Sequence, residues 1–418
     1  MTQLSDPLHK ALRSFFAESS PSHIAVAVSG GSDSLALLSL LHDWREAGGP
    51  QVSAVTVNHG LRAEAAAEAE GVAQLCDAWN VPHETLSWTR KEATGNLHDQ
   101  ARRARYGLMA RWAASKHIPV VALGHTQDDQ AETFLMRLAR GAGVDGLAAM
   151  RARWDENGVT FARPVLSCRR DALRDHLRAK NLTWVEDAAN LDPTYDRSRI
   201  RAALPELGIS IETLCDVAGH LSQAREALHA MMLQTAQQIA RIEHGDVVIA
   251  QDAFQALPTE LARRLILASM HWITGADYPP RGAALTALLQ DISAGRNATL
   301  QGCDLSQSKG TIRITREAGA LADTFALPDT LWDGRWLVTG GTTGPSAENL
   351  CIRALGEAGL RHCPDRAYVA LPARSLIATP AVWQGDTLLA APLAGLENGW
   401  TATLVPRTCD DFAAQISH

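Results

Sequence analysis

Residues 24–34, IAVAVSGGSDS, specify the fold class of the first half of the chain. Ile24 to Val28 form a continuous apolar run, which is typical of a strand buried on both faces of a parallel sheet. The polar run Ser29 to Ser34 follows directly, and the apolar-periodic residues Leu35 to Leu41 then predict a helix. A strand, a Gly-Gly turn and a helix start in this order predict the first unit of an α/β fold.

Strand and helix patterns continue to alternate after this first unit. Further strands are predicted at 52–57, 81–88 and 119–123, and helices at 63–79, 96–116, 127–140 and 169–180. This alternation predicts a doubly wound parallel sheet with helices on both faces. Ligands of such sheets bind at the carboxyl ends of the strands, which is where the run Ser29 to Ser34 begins.

The run Ser29 to Ser34 has the composition of a phosphate-binding loop. Gly30 and Gly31 can take positive φ and let the backbone approach a phosphate closely, and successive N–H groups at a helix N-terminus bind anions. A carboxylate is repelled by phosphate, so we expect Asp33, on an exposed loop, either to bind a bridging Mg²⁺ or to cap the helix. The hydroxyl donors of the loop are Ser29, Ser32 and Ser34.

The loop is not a Walker sequence, because no Gly-Lys-Ser/Thr follows it. It resembles the pyrophosphate loop (PP-loop), S-G-G-x-D-S, of the ATP pyrophosphatase superfamily. Members of that superfamily split ATP between the α and β phosphates and leave an adenylate on the substrate. The resemblance implies that residues 29–34 bind ATP, that Asp33 is a metal ligand with a catalytic role, and that ATP and Mg²⁺ are the cofactors.

Further segments narrow the resemblance to one family. They are VNHGLR at 57–62, ARRARY at 101–106, GHTQDDQAET at 124–133, RGAGVDGLAAM at 140–150, RPVL at 163–166, WVEDAANLD at 184–192 and RSRIR at 197–201. In this order and spacing they resemble the tRNA(Ile)-lysidine synthetase family over residues 20–205. The segment TLQGCDLSQSKGTIRITRE at 299–317 resembles the C-terminal region of that family more weakly.

This resemblance implies an ATP-dependent ligase that modifies tRNA. Carbon-2 of the wobble cytidine in the CAU anticodon of an isoleucine tRNA would be adenylated with release of diphosphate. The lysine ε-amine would then displace AMP and form lysidine. The implied partners are this tRNA and free L-lysine, and the implied compartment is the cytoplasm. The oligomeric state is not given by the sequence.

Acidic residues follow the fourth predicted strand. Asp129 and Glu132 are spaced i,i+3 and Asp128 and Glu132 i,i+4, so they can share a helix face. Such a cluster suits an ammonium ligand or magnesium, although acids at a helix N-terminus also complement its dipole. The resemblance assigns Asp129 and Glu132 to lysine binding. Either His125 or one of these carboxylates is expected to remove the proton from the lysine ammonium.

Basic residues are the remaining candidates for the site. His59 and Arg62, at the end of the second strand, are expected to contribute to ATP binding. Arginines can hold the backbone phosphates of a flipped anticodon base through bidentate contacts. Two departures from the family pattern, Thr126 and Ser198, leave the roles of those positions open. The arginines predicted to bind tRNA are Arg103, Arg105, Arg163, Arg197, Arg199 and Arg201.

The pattern changes after the α/β region. We predict a catalytic PP-loop domain at 1–205, followed after a polar, irregular stretch by a mainly helical, mixed α+β domain at 206–320 that binds tRNA. The main helices of this second domain are predicted at 211–242, 261–273 and 282–292, with strand-like alternation at 298–315. Short apolar runs split by Gly and Pro predict a small β-rich domain at 325–418.

Composition excludes several other classes of protein. The chain has 418 residues, of which 46% are hydrophobic and 20% charged, so it is not disordered as a whole. No apolar run approaches the ~20 residues of a membrane helix, and no secretory signal is expected. The seven cysteines form no C-x-x-C pair, which favours reduced thiols over a zinc or iron–sulfur site.

The net charge of −7 disfavours a nucleic-acid partner when it is taken alone. Residues 101–205, however, contain 18 Lys and Arg against 12 Asp and Glu, a local excess of +6. A basic middle region on an acidic protein can form a phosphate-binding face.

Three alternative functions share the phosphate loop. A tRNA thiolase would need paired cysteines near the site, and only Cys76 and Cys168 fall in the predicted catalytic domain. A glutamine-dependent synthetase would need an amidotransferase domain or partner. A non-catalytic nucleotide- or RNA-binding module would not need Asp33 together with the acidic segment 124–133.

Overall fold

The computed structural model of this chain describes residues 6–58, 64–88, 97–186, 194, 196–276, 278–341, 349–363, 369, 371–405 and 412. The chain divides into two units, Met1–Arg225 and Glu226–His418. This division falls inside one long helix, Ile211–Ile239. The domain limits predicted from the sequence stay predictions.

The first unit alternates strands and helices as the sequence predicts. Apart from the helix after the phosphate loop, the predicted bounds lie within two residues of the observed ones. The strands are β1 (His23–Ala27), β2 (Gln51–Asn58), β3 (His83–Ser87), β4 (Val120–Leu123), β5 (Arg153–Glu156) and β6 (Val159–Ala162). The helices are α1 (Pro7–Phe16), α2 (Ser32–Glu46), α3 (Glu64–Ala78), α4 (Leu97–Ser115), α5 (Gln127–Leu138), α6 (Val144–Leu147), α7 (Arg170–Ala179), α8 (Asp196–Ala203) and the beginning of α9 (Ile211–Ile239).

The strands of the first unit form one sheet, which within the described residues has the order β3-β2-β1-β4-β6-β5. All neighbouring pairs are parallel except β5 and β6. The α/β fold class is therefore confirmed. The β5–β6 hairpin was not predicted, although its turn residues Asn157 and Gly158, with φ of 51° and 78°, carry the Asn-Gly signal of a type I′ turn.

The two faces of this sheet bury separate cores. Ile24 and Val26 pack with residues of α1, α2, α3 and α7, whereas Ala25 and Val121 pack with residues of α4. Successive strand residues point to opposite faces, so the uninterrupted apolar run of β1 supplies both cores. A fully buried leucine such as Leu37 stabilises the fold by about 1.5–3 kcal/mol. Because helices cover both faces, ligands reach the sheet at the ends of its strands.

Gly124, directly after β4, lies against the phosphate loop. A Cβ atom at this position would lie 2.8 Å from the carbonyl carbon and oxygen of Asp33 and from Cα of Ser34. Backbone atoms cannot move aside as the end of a flexible side chain can. The end of β4 and the beginning of α2 therefore approach this closely because residue 124 is glycine.

The polar stretch at 181–205, predicted to be irregular, contains α8, which lies against α5. No residue of α8 is buried, so the helix has no apolar stripe that a search for hydrophobic periodicity could find. Its contacts are made instead by charged residues, among them Arg197 and Arg201, which are spaced i,i+4.

The second unit is built on antiparallel sheets, as expected for a mixed domain followed by a β-rich one. Within the described residues the sheets have the orders β7-β8-β11-β10-β9, β12-β13-β17 and β14-β15-β16. None of the helices in the described ranges of either unit has the length and apolarity needed to span a bilayer. The helices are α10 (Gln251–Gln255), α11 (Thr259–Thr274), α12 (Gly282–Ser293), α13 (Gly356–Leu360) and α14 (Ala373–Leu376). The strands are β7 (Ala240–Glu243), β8 (Asp246–Ala250), β9 (Ala298–Leu300), β10 (Cys303–Ser308), β11 (Thr311–Arg316), β12 (Leu331–Trp332), β13 (Trp336–Gly340), β14 (Leu350–Ala354), β15 (Pro380–Gln384), β16 (Thr387–Ala390) and β17 (Trp400–Leu404).

The helix predicted at 211–242 is too long at its C-terminal end. The α9 helix ends at Ile239, and the next residues form the β7–β8 hairpin. The turn of this hairpin is His244-Gly245, with φ of 49° and 88°. These are the left-handed conformations of a type I′ turn, so Gly245 was the signal for a hairpin.

Replacing Gly124 with Ala should destabilise the first unit by roughly 1–3 kcal/mol, because the added methyl group must separate two backbone segments. Gly71→Ala in α3 is the matched control, since nothing lies within 4 Å of a Cβ atom built there. The control should stabilise the unit by about 0.5–1 kcal/mol through helix propensity. Urea unfolding followed by circular dichroism measures both changes. If Gly124→Ala is as stable as wild type, the close approach is not a constraint on the fold.

Candidate active site

The phosphate loop changes conformation between its two glycines. Gly30 has φ of +83°, a backbone conformation that residues with a side chain rarely adopt. The sequence predicted that this glycine could take positive φ. Gly31 does not use the positive φ that is open to it, because it is the N-cap of α2 and has φ −75° and ψ 160°. Extended backbone is usual at an N-cap. Gly31 has no side chain to cap α2, so the first-turn N–H groups of α2 can face an anion.

Ser34 holds the phosphate loop closed on itself. Its hydroxyl accepts the N–H of Ser29 at 3.1 Å and donates to the carbonyl of Gly31 at 3.1 Å. The Ser29 hydroxyl lies 3.3 Å from the Ser34 hydroxyl. These bonds fix the loop around the start of α2, so the loop needs little reorganisation to receive a ligand.

The expectation that Asp33 lies on an exposed loop is wrong. Helix α2 begins at Ser32, so Asp33 belongs to its first turn, and only 20% of its side chain is exposed. One carboxylate oxygen accepts the Ser32 hydroxyl at 3.0 Å, and the other accepts Nε of Arg170 at 3.0 Å. Burial raises the pKa of Asp33, and the charge of Arg170 opposes this rise.

A cavity of about 750 Å³ lies at the carboxyl ends of the central strands. This volume is in the range of small-molecule and cofactor sites. The cavity brings together the phosphate loop, predicted lysine-binding residue Asp129 and several arginines. Its polar lining residues include Ser29, Ser32, Asp33, Ser34, Thr56, Asn58, Glu68, Arg105, His125, Asp129, Arg170, Arg174, Glu186, Arg197 and Arg201.

Arg170 joins three predicted site carboxylates and was missed by the sequence analysis. Its guanidinium donates to Asp33 at 3.0 Å, to Asp129 at 2.8 Å and to Glu132 at 3.0 Å. Its backbone N–H donates to Asp128 at 2.8 Å. Arg170 is the first residue of α7, where a cation opposes the helix dipole. A cation at the first turn of a helix was the sequence signal that compensating carboxylates lie nearby.

Two arginines of α8 bind the same carboxylates. Arg197 donates to Asp129 at 3.0 Å and to Glu132 at 2.7 Å. Arg201 donates to the two oxygens of Glu132 at 2.8 and 3.2 Å. Both arginines were predicted to bind tRNA phosphates. In this structure they form intramolecular ion pairs, so a phosphate would have to compete with carboxylates for them.

The environment of Glu132 favours its ionised form. Its side chain is 2% exposed, and this burial alone would raise its pKa. The hydrogen bond from Arg201 and the charges of Arg170, Arg197 and Arg201 outweigh burial and lower the pKa of Glu132 to about 2. Glu132 is therefore a poor acceptor for the proton of a lysine ammonium.

Thr126 begins α5 through a capping box. Its hydroxyl accepts the N–H of Asp129, and Asp129 in turn accepts the N–H of Thr126 at 2.8 Å and its hydroxyl at 2.9 Å. The sequence signal was the spacing Thr-x-x-Asp before a helix. Thr126, one of the two departures from the family pattern, therefore has a structural role, and Asp129 has one oxygen committed to the cap.

His125 is held by Arg163, whose Nε donates to Nδ1 of His125 at 3.2 Å. Burial and the charge of Arg163 lower the pKa of His125 to about 3, so His125 is neutral at pH 7 and binds a proton weakly. Arg163 is 5% exposed and its guanidinium lies 4.2 Å from the Trp154 ring centroid. The contact of Arg163 with tRNA stays a prediction. In this structure its buried guanidinium positions His125.

The other predicted arginines differ in exposure. Arg103 is exposed on α4, and Arg199 is exposed on α8, where it pairs with Asp196. Arg105 lines the cavity, and its Nε is buried without a hydrogen-bond partner among the described residues. Because an unsatisfied buried donor costs about 1–3 kcal/mol, Arg105 is suited to receive a ligand. The predicted ATP-binding residues His59 and Arg62 lie outside the described residues.

The described residues around Asp33 offer magnesium one carboxylate ligand and not a complete set. Within the described ranges no group of three or more His, Cys, Asp or Glu side chains could hold a metal ion by itself. Magnesium is usually bound by one or two carboxylates together with substrate phosphates and water. Asp33, next to the phosphate loop, fits this pattern as one ligand, provided that its bond to Arg170 is exchanged.

Three comparisons with known proteins were made for this chain. A family model described as a PP-loop domain matches residues 4–207. A tRNA(Ile)-lysidine synthase of Ruegeria pomeroyi is 46% identical over 97% of both chains, and one of Wolbachia pipientis wMel is 36% identical over 76% of both chains. A solved U34-tRNA thiolase of Methanococcus maripaludis is 16% identical, with a TM-score of 0.45 over 51% of this chain and 78% of the other.

The ion pairs of Glu132 should make the stability of the first unit pH-dependent. The folded pKa of about 2 lies below the ordinary value of 4.5, so the contribution is complete above pH 4.5 and is lost as the pH falls through 2. Its size is on the order of 3 kcal/mol. The difference in unfolding free energy between wild type and Glu132→Gln should therefore shrink from pH 7 to pH 3 in urea titrations.

The control for this titration is Glu46→Gln, which removes a carboxylate that is 63% exposed and paired with Arg45. Its effect should stay within about 0.5 kcal/mol at every pH. A constant difference between wild type and Glu132→Gln across the same range would contradict the expected ionisation of Glu132.

Proposed function

The chain belongs to the tRNA(Ile)-lysidine synthase family, and we propose that it ligates lysine to carbon-2 of the wobble cytidine of an isoleucine tRNA with a CAU anticodon. ATP is the third substrate, and the modified tRNA, AMP and diphosphate are the products. The observation that carries the proposal is the cavity that the phosphate loop, His125 and Asp129 line together. The reaction belongs in the cytoplasm, where tRNA, ATP and free lysine are available.

The proposed reaction has two steps. In the first, O2 of the cytidine attacks the α phosphorus of ATP, the bond between the α phosphorus and the bridging oxygen breaks, and diphosphate leaves. In the second, the lysine ε-nitrogen attacks carbon-2, the bond from carbon-2 to O2 breaks, and AMP leaves with that oxygen. The amine must lose a proton before or during this attack. Activation of the oxygen as an adenylate divides one difficult substitution into two easier ones.

The phosphate loop binds the leaving group of the first step. The N–H groups at the beginning of α2 and the loop hydroxyls are placed to bind the diphosphate as its charge develops. We propose that Asp33 is one ligand of Mg²⁺, which when bound neutralises phosphate charge and orients the leaving group. If Asp33 held the metal ion, Arg170 would exchange its contact with Asp33 and would keep its bonds to Asp129 and Glu132.

The carboxylates of α5 act in the second step, the attack of lysine. We propose that Asp129 and Glu132 bind the lysine ammonium and place it against the adenylated base. The pKa of His125, about 3, and the pKa of Glu132, about 2, make both groups weak bases. Because Nδ1 of His125 accepts from Arg163, the neutral ring carries its proton on Nε2. We therefore assign His125 to orientation of the substrates as a neutral hydrogen-bond donor and not to deprotonation of lysine.

The alternative of a tRNA thiolase has no support in Cys76 and Cys168, the two thiols of the predicted catalytic domain 1–205. Cys76 is fully buried, and burial raises the pKa of its thiol to about 12. Burial also raises the pKa of Cys168. Sulfur transfer needs a reactive thiolate that is partly exposed, so neither cysteine has the required environment. The other alternative is a non-catalytic nucleotide-binding module. Such a module would bind ATP without releasing diphosphate.

The direct test is incubation of the protein with isoleucine tRNA, ATP and labelled lysine, followed by nucleoside analysis. Label in a cytidine derivative at the wobble position, with one AMP and one diphosphate per lysine, is the expected result. Release of diphosphate with tRNA in the absence of lysine would separate the adenylation step from the ligation step. ATP binding without release of diphosphate under any of these conditions would identify a binding module instead.

Asp33→Asn should lower the rate of diphosphate release by roughly 100- to 1,000-fold, the usual effect of removing a group that stabilises transition-state charge. Asp171→Asn is the control, because Asp171 is an exposed residue of α7 beside Arg170 in sequence, and its rate should equal that of wild type. Circular dichroism checks that both variants are folded. An unchanged rate for Asp33→Asn would exclude Asp33 from the ATP site.

The exposed arginines should contribute to salt-dependent tRNA binding. Arg103→Ala and Arg199→Ala should each reduce the slope of log affinity against log salt by roughly 0.7–0.9. Arg178→Ala is the control. Its exposed guanidinium pairs with Asp175 on the same helix, α7, and Arg178 is not among the arginines predicted to bind tRNA. Filter binding of the tRNA over a salt series measures the slopes. A wild-type slope in both variants would show that other residues make the phosphate contacts.

A further inference from the structure

The capacity of Asp129 to accept hydrogen bonds is already used. One of its oxygens accepts from Arg170 at 2.8 Å and from Arg197 at 3.0 Å. The other accepts the N–H and the hydroxyl of Thr126 at 2.8 and 2.9 Å. An ionised carboxylate has about four positions for hydrogen bonds. All four are therefore occupied by donors of the described part of this chain.

Glu132 is saturated in the same way. One of its oxygens accepts from Arg170 at 3.0 Å and from Arg201 at 2.8 Å. The other accepts from Arg197 at 2.7 Å and from Arg201 at 3.2 Å. The carboxylate is 2% exposed, so water does not replace a missing donor. A lysine ammonium can bind this pair only after one of the donors has left.

Arg170 and Arg197 each bond one oxygen of Asp129 and one of Glu132, so the departure of either would open both carboxylates at once. Arg201 is bonded to Glu132 alone. Exposure separates the two candidates. Arg197 is 41% exposed, while Arg170 is 12% exposed and Thr126 is fully buried. Two oxygens that bind adjacent nitrogens of one guanidinium are close enough to bind one ammonium. The vacated position would therefore accept a primary ammonium group.

We propose that Arg197 occupies the ammonium subsite of the lysine site and must leave it before lysine binds. This inference rests on the proposed function, because it takes the ligand of Asp129 and Glu132 to be lysine. Arginine binds phosphate through two parallel hydrogen bonds, so a backbone phosphate of the tRNA can draw Arg197 off the carboxylates. The binding of tRNA then strengthens the binding of lysine, and by linkage lysine strengthens the binding of tRNA by the same factor.

The test measures the dissociation constant of L-lysine for the full chain by titration calorimetry, without ATP and without tRNA. Arg197→Ala should lower this constant by about tenfold, because apparent affinity scales with the fraction of molecules in which the subsite is open. Arg197→Met keeps an apolar stem without the charge and should behave in the same way. Arg178→Ala, which removes a charge from an exposed ion pair, should leave the constant unchanged.

The tRNA with a CAU anticodon, added without ATP, should lower the lysine dissociation constant of the wild type by a similar factor and have no such effect on Arg197→Ala. Glu132→Gln in the Arg197→Ala background should abolish the gain. Weaker or equal lysine binding by both Arg197 variants would overturn the inference, since Arg197 would then position the carboxylates instead of competing for them. Lysidine formation by the wild type, measured in parallel, separates this failure from failure of the proposed function.

Discussion

The guanidinium of Arg170 is the contact on which the arrangement of the ligand site depends. It bonds Asp33 of α2 and both Asp129 and Glu132 of α5, although it belongs to α7. The desolvation of such a cation costs several kcal/mol, and its place at the beginning of a helix adds an unfavourable dipole interaction. Only an arrangement with several carboxylates around it can offset these terms. Three helices are therefore fixed relative to one another by one buried side chain.

The charges of the cluster balance before any substrate binds. Three carboxylates, on Asp33, Asp129 and Glu132, face three guanidinium groups, on Arg170, Arg197 and Arg201. A balanced cluster has little attraction for a free cation such as lysine. Polyanions change this balance, because phosphates compete with the carboxylates for the arginines. Under the proposed function, the anionic substrates, ATP and tRNA, would therefore prepare the site for the cationic one.

Much of the fold followed from local patterns in the sequence. The apolar runs of β1 and β4 and the glycines after β1 placed the sheet and the phosphate loop. The Thr-x-x-Asp spacing at Thr126 and the glycine at 124 were also visible in the sequence. Only the structure showed that the first forms a capping box and that the second allows the close approach of two backbone segments. The β5–β6 and β7–β8 hairpins were missed although Asn157-Gly158 and Gly245 signalled turns. Each hairpin pairs a polar strand of four residues, RWDE or ARIE, with a short apolar one, and strand propensity in a short polar segment is weak. Helix α8 was missed because its contacts are electrostatic.

The partners of the charged residues could not be obtained in the same way. The sequence specified properties that depend on neighbours along the chain, such as strand runs, positive φ at Gly30 and the i,i+3 spacing of Asp129 and Glu132. It identified the carboxylates as a site but not the cations that saturate them. Arg170 is 137 residues from Asp33, and Arg197 is 65 residues from Glu132. Ion pairs over such separations depend on how the helices pack on the sheet. The assignment of Arg163 to His125 and of Arg197 to Asp129 and Glu132 therefore belongs to the tertiary structure, because Coulomb energy depends on distance in space and not on separation in sequence.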